Sequence, residues 1–368
     1  MAIELTQLSG EELDNILYGH MTPQMAAAYL RQEQISVRSF SETLTDMYPY
    51  EDILHRLTEL YLTTGDAVNP RSLTKKLQNW LSGRNQPTDR MDYFRIAFAL
   101  QLSEAQLDFL LSMCTGYGIQ YRSIRELVLT WFLRNGYGYR EAVDFLASLP
   151  AYSPCERLPD GMTSRITHEL HNEFRSLLTL DELRNALQRN QGRFGELHLR
   201  AYFYFERFLG QLLHPTPLSG EQEADYSIDA VMEKYLSLHM PSDRKRLNYT
   251  LVQKLIKQNW PNATAIKNIR NHVEDVPRKL LLLLYVVTEN GVSDAYRESD
   301  EDYVSLEDRV QDHWWTINAM LADCGMATLD LRNAFDWLIL YAIAAEPDEA
   351  MSERLEQVIE ELYGDRDP

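Results

Sequence analysis

The sequence predicts an all-α protein built from many packed helices, and three observations carry that expectation. Nearly every segment longer than ten residues places apolar side chains three and four positions apart, the spacing that gathers them on one face of a helix. Strict alternation of polar and apolar residues over a strand's length is nearly absent. Helix start and stop signals fall where the periodicity begins and ends.

In chain order, the periodicity predicts helices at Thr22 to Arg31, Ser39 to Met47, Tyr50 to Leu62, Arg71 to Leu81, Met91 to Leu100, Glu104 to Cys114, Ile124 to Asn135 and Tyr139 to Leu149. The helix over 71–81 has the clearest borders. Asn69 stands as its cap, Pro70 takes the first helical position, where a missing N–H costs nothing, and Gly83 lies just past its end. Ser103 with Gln106 makes a capping box before the helix at 104. The stretch AYSPCERLPDG, Ala151 to Gly161, has two prolines, a glycine and no periodicity, so it reads as a linker. A middle helical region follows from Thr163 to Leu213 and ends at HPTPLSG, His214 to Gly220. A further helical domain is expected from Tyr226 on, with the polar, acidic insertion Gly291 to Asp302 as a solvated loop. The resulting segmentation is an N-terminal helical domain at 1–150, a linker and middle region at 151–220, and an acidic C-terminal domain at 221–368.

With 368 residues, 45% hydrophobic and 25% charged, each of two or three domains can hold a packed core, which excludes wholesale disorder and fibrous repeats. Cys114, Cys155 and Cys324 stand far apart and in no metal-binding spacing, which argues against a disulfide framework or structural zinc and fits a reducing compartment. The start, MAIELTQLSGEELDN, has no basic region followed by an apolar one, so no secretory signal is expected. The densest apolar run, Leu280 to Val287, is eight residues long, against about 20 for a membrane span. The expectation is a soluble cytoplasmic protein of bacterial style.

A formal charge of −19 opposes affinity for nucleic acid or an anionic membrane over the molecule as a whole. Any such binding must be local, and the charge is distributed unevenly. Residues 67–140 hold 10 basic and 5 acidic side chains, and 243–279 hold 9 and 3, whereas 1–66 hold 3 and 11. Residues 141–368 as a whole hold 23 and 39.

The first basic island, residues 69–111, reads as three short helices with tight connections. On the first of them Leu73, Leu77, Trp80 and Leu81 share one face, leaving Arg71, Thr74, Lys75, Lys76, Gln78 and Asn79 outward. A basic, amide-rich face on an apolar back suits a major groove: lysine neutralises phosphate or meets guanine, and glutamine or asparagine can pair with adenine. Arg84 and Asn85, after Gly83, could reach the backbone. Ser72 to Leu81, Gly83-Arg84, Pro87, Ile96-Ala97, Ala99-Leu100 and Leu102-Ser103 leading into Leu107 and Leu110 together resemble the lambda-repressor-like (XRE-type) helix-turn-helix DNA-binding domain. That resemblance implies a unit over about 50–112 in which Thr74, Lys75, Lys76, Gln78 and Asn79 face bases or phosphates and Arg84 a phosphate. The sequence departs from the family at TTGDAVNP, Thr63 to Pro70, which is longer than the family's turn. The same side chains also fit a solvated face or a protein-binding surface.

Residues 250–291 can be laid on the first island with a shift of 189, so that Leu77 meets Ile266, Asn79 meets Asn268, Trp80 meets Ile269 and Arg90 meets Lys279. A second, more divergent copy of the unit is expected there, lacking the Gly-Arg step because His272-Val273 stands in its place.

No pattern for catalysis emerges. His168 and His171 are three residues apart rather than the four that a zinc helix needs, and His198 completes no ligand spacing. GYGIQY at 116–121 is a turn, not a phosphate loop. Asp330, Arg332, Asn333, Asp336 and Trp337 read as a cap and first turn opening a buried helix. Trp314-Trp315 and the run Tyr202 to Phe205 are expected to fill core. Neither an enzyme activity, nor a cofactor, nor a metal is expected. The leading expectation is a regulatory protein that binds double-stranded DNA through 50–112, its acidic remainder serving dimerisation or a protein partner. The competing expectation is a helical interaction scaffold whose helix-turn-helix units do not touch DNA.

Overall fold

The computed structural model describes residues 7–65, 69–155, 166–215, 225–241, 249–288, 305–346 and 349–364. The loop expected at 291–302, most of the linker at 151–161 and most of HPTPLSG lie outside them. The fold is all-α: 67% of the protein is helical, with nineteen helices and no strand among the described residues. They are α1 (Gln7–Tyr18), α2 (Pro23–Arg31), α3 (Phe40–Met47), α4 (Ile53–Thr63), α5 (Pro70–Leu81), α6 (Arg90–Leu100), α7 (Glu104–Thr115), α8 (Ile124–Arg134), α9 (Tyr139–Ala147), α10 (Ile166–Arg175), α11 (Leu180–Arg189) and α12 (Leu199–Leu213). The rest are α13 (Ile228–Val231), which runs on as a π-helical turn, α14 (Leu251–Lys257), α15 (Ala263–Arg270), α16 (Arg278–Val287), α17 (Leu306–Asp323), α18 (Ala334–Ile343) and α19 (Met351–Tyr363). Among the described residues no helix is long and apolar enough to cross a membrane.

The chain forms two compact units that cut across the segmentation at 150 and 220. The central unit is 38–199 with 325–327, and the terminal unit is 1–37, 200–324 and 328–368. The first 37 residues join the C-terminal helices because α2 packs on α19 and the Arg31 guanidinium donates to the carbonyls of Glu361 and Leu362. Tyr29 also stacks on Trp337, whose indole N–H donates to Glu12 at 2.9 Å.

In the central unit α4 packs on α5 and α6, and α6 and α8 are buried along most of their length. Leu73, Leu77 and Trp80 of α5 enter this core. Trp80 is 4% exposed, so Trp80→Ala should destabilise by about 3 to 5 kcal/mol. A denaturant-midpoint change worth less than about 1 kcal/mol would show that the helix does not seat this side chain. Arg90, first residue of α6, holds Glu126 in the first turn of α8 at 2.5 Å and donates to the carbonyls of Tyr117 and Gly118. Glu126 also takes the N–H of Gln120 at 2.8 Å.

The terminal unit repeats that latch. Arg278 opens α16 and grips Asp336, in the first turn of α18, at 2.6 and 2.8 Å, while donating to the carbonyl of Thr328. Asp336 takes the N–H of Asp330 at 2.9 Å, and Asn333 caps α18, as the sequence implies. The aromatic pairs obey helical spacing rather than adjacency. Tyr202, Phe205 and Trp314 are buried, but Phe203 and Trp315 face solvent, which corrects the expectation that both runs fill core. Buried His313 bonds Tyr285 at 2.8 Å, and burial followed by the Arg309 charge lowers its pKa to about 4. The folded unit therefore keeps it neutral, whereas the unfolded chain takes up a proton below about pH 6.5. The stability it contributes is present above that pH and shrinks by up to about 3 kcal/mol as pH falls towards 4. Unfolding at about pH 7 and 4.5 checks this: an equal loss in wild type and His313→Gln would refute it.

Candidate nucleic-acid interface

Helix α5 starts where the sequence predicts. The Asn69 side chain accepts the N–H groups of Arg71 and Ser72, and Pro70 follows at the first helical position. It ends at Ser82, after which Gly83 takes a φ of 72°, a left-handed backbone that a side chain would strain. A Cβ there would also lie 3.1 Å from Ser41 Oγ. This reversal sends the N–H groups of Arg84 and Asn85 back to the carbonyl of Asn79, at 3.0 and 3.2 Å.

Arg71, Thr74, Lys75, Gln78, Asn79 and Arg84, six of the seven residues expected to meet nucleic acid, thereby line one open groove of about 660 Å³. Ser82 joins them and was not singled out by the sequence reading. Its signal is spacing: 71, 75, 78 and 82 step by four, three and four residues along one helical ridge. Among the described residues no carboxylate pairs with Arg71, Lys75 or Arg84, and the side-chain amides of Gln78 and Asn79 are unengaged. Thr74 donates its hydroxyl to the carbonyl of Pro70, leaving acceptor capacity on the oxygen.

Lys76 departs from the expected set. Its ammonium lies 2.9 Å from the buried carboxylate of Asp92 and over the rings of Trp80 and Tyr61, at 4.6 and 5.5 Å. Asp92 also accepts from Tyr61 at 2.5 Å and Arg95 at 3.0 Å. The lysine's charge is thus balanced within the fold, and it ties α4, α5 and α6 together beside the groove instead of lining it.

The histidines do not converge. His168 contacts Asn172, His198 lies edge-on to Tyr117, and His171 stacks on Tyr121 with its Nε2 3.3 Å from Glu104. Glu104 gathers Tyr121, Arg134 and His171: burial raises its pKa, but the hydrogen bonds and cations outweigh that and hold it at about 2. This cluster, which the sequence reading missed, joins α7, α8 and α10. Among the described residues no group of His, Cys, Asp and Glu is arranged to hold a metal. Comparison with protein-family models, with curated proteins and with solved structures gives no match.

Proposed function

We propose that the protein is a DNA-binding regulatory protein that meets double-stranded DNA with the outward face of α5, as the repressor-like motif implies. One observation supports it most: three cations with no carboxylate partner and two unengaged amides among the described residues share one groove in a protein of net charge −19. Arg71, Lys75 and Arg84 neutralise phosphates, while Gln78 and Asn79 have the donor and acceptor pairs that distinguish bases. The acidic remainder serves dimerisation or a protein partner, and its field confines binding to this groove.

The test is retention of short random-sequence duplexes by the purified chain at low salt. Replacing Asn79 with Ala should change the recovered sequences more than the salt dependence. No retention at low salt refutes DNA binding and leaves the groove as a protein-interaction surface, the function the sequence offers as the alternative.

A further inference from the structure

The shift of 189 residues that aligns the two basic islands also aligns their backbones. Helices α5 and α15 bury Leu77 and Ile266, 189 residues apart; each opens on an asparagine cap, but Asn262 falls four residues inside the position that matches Asn69, so α15 is the shorter helix. After each, a residue of positive φ, Gly83 at 72° or His272 at 59°, precedes an N–H that returns to an asparagine carbonyl. These are Arg84 to Asn79 at 3.0 Å and Val273 to Asn268 at 2.9 Å. Further along, at spacings of 188 for the arginines and 210 for their acidic partners, the latches of Arg90 with Glu126 and Arg278 with Asp336 correspond. So do the N–H groups of Ile119 and Leu329, given to Asp108 and Asn318 at 2.7 Å each. One coincidence of helical phase is cheap. A left-handed residue and its return bond are one helix-ending geometry, which α6 and α8 also show at Gln101 and Gly136, so the matching latch and loop N–H groups carry most of the correspondence.

We infer that the central and terminal units are diverged copies of one module, and that only the central copy's face receives nucleic-acid phosphate. The second half of this rests on the proposed function. In the terminal copy each matching donor has been altered or covered. Lys267 stands where Gln78 does, with its ammonium 2.9 Å from both oxygens of Asp229. Asn268 stands where Asn79 does and donates its amide to Glu274 at 2.7 Å. Val273, 71% exposed, replaces Arg84 and offers no side-chain donor, and Thr264 replaces Lys75. The carboxylates engage the donors that a phosphate would need. An exposed ion pair is weak, so the strength of the Lys267 to Asp229 bond is not what excludes DNA. What does is the charge at the matching positions: there two carboxylates face one lysine, although 243–279 as a whole is basic, where the central face sets three cations.

The experiment measures affinity of the full chain for short random-sequence duplexes across a salt series, in wild type, Lys75→Ala, Lys267→Ala, and Asp229→Asn with Glu274→Gln. Lys75→Ala should lower the magnitude of the log-affinity against log-salt slope by about one, whereas Lys267→Ala leaves it unchanged. The double substitution, which frees Lys267, should raise the slope by about one. A fall with Lys267→Ala equal to that with Lys75→Ala overturns the inference while sparing the function. An unchanged slope in the double variant overturns the role of the carboxylates. Wild-type protein that retains no duplex overturns the proposed function itself, and this inference with it.

Discussion

Replacing Arg71, Lys75 and Arg84 together with Ala should reduce the slope of log affinity against log salt by about 2 to 3 units and abolish duplex retention at moderate salt. Each cation that sits on a phosphate releases roughly one condensed counterion, so its removal lowers the slope by about 0.9. The three are chosen because they line the groove and no described carboxylate holds them. Lys76→Ala is the internal contrast. Its ammonium already has Asp92 at 2.9 Å, so its loss should leave the slope nearly unchanged and weaken binding only by loosening α5. A slope that falls equally for Lys76→Ala would mean that the lysine leaves Asp92 for phosphate. Unaltered retention in the triple variant would remove α5 from any DNA contact. The field of the acidic remainder makes the measurement sensitive, because without the three cations the groove has no charge to oppose it.

How much of this is legible in the sequence depends on how far each partner lies along the chain. Helix α5 is legible because its cap, its apolar stripe and its glycine stop are all within 15 residues, 69–83, and agree with one another. The groove residues follow from the same stripe, since whatever is not inward on a short helix is outward. The pairing of Lys76 is not legible: Asp92 lies 16 residues on, and periodicity does not reveal that the first turn of α6 faces it. Helix α1 has no apolar stripe to announce it. Of its 12 residues only Ser9, Glu12 and Ile16 are buried, and Glu12 is paid attention by a tryptophan 325 positions away. The membership of residues 1–37 in the terminal unit is hidden for the same reason, because Arg31 reaches carbonyls 330 and 331 residues distant. The exposure of Phe203 and Trp315, by contrast, is readable in principle. On a helix with one face to solvent, neighbours in sequence point to different sides, and each of these sits beside a residue that is buried.

Arg278→Ala should destabilise the terminal unit by about 3 to 5 kcal/mol, a large part of the roughly 5 to 15 kcal/mol that keeps a domain folded. The size follows from what is left behind. The Asp336 side chain is 1% exposed and takes two bonds from the guanidinium, at 2.6 and 2.8 Å, and a third from the Asp330 N–H. Without the arginine a carboxylate stays buried with one neutral donor and, among the described residues, no ion-pair partner in contact, only the more distant charge of Lys279, and protonating or hydrating it costs free energy either way. Removing both charges, as Arg278→Met with Asp336→Leu, should cost far less, because burying two charges is itself expensive and an apolar pair of similar size avoids that. It will not be free, since the Asp330 N–H loses its acceptor, worth about 1 to 3 kcal/mol when left unsatisfied in the interior. Chemical unfolding of wild type, the single variant and the double variant separates these contributions. A double variant as unstable as the single would show that the latch stabilises by net attraction. A single variant within about 1 kcal/mol of wild type would show that Asp336 is not held by this arginine in solution. The corresponding single change in the central unit, Arg90→Ala, tests the same geometry independently, since Glu126 would lose its guanidinium but keep the Gln120 N–H. If the two units are copies of one module, the two losses should be of similar size, and a latch that matters in only one of them would mean the copies have come to depend on different contacts.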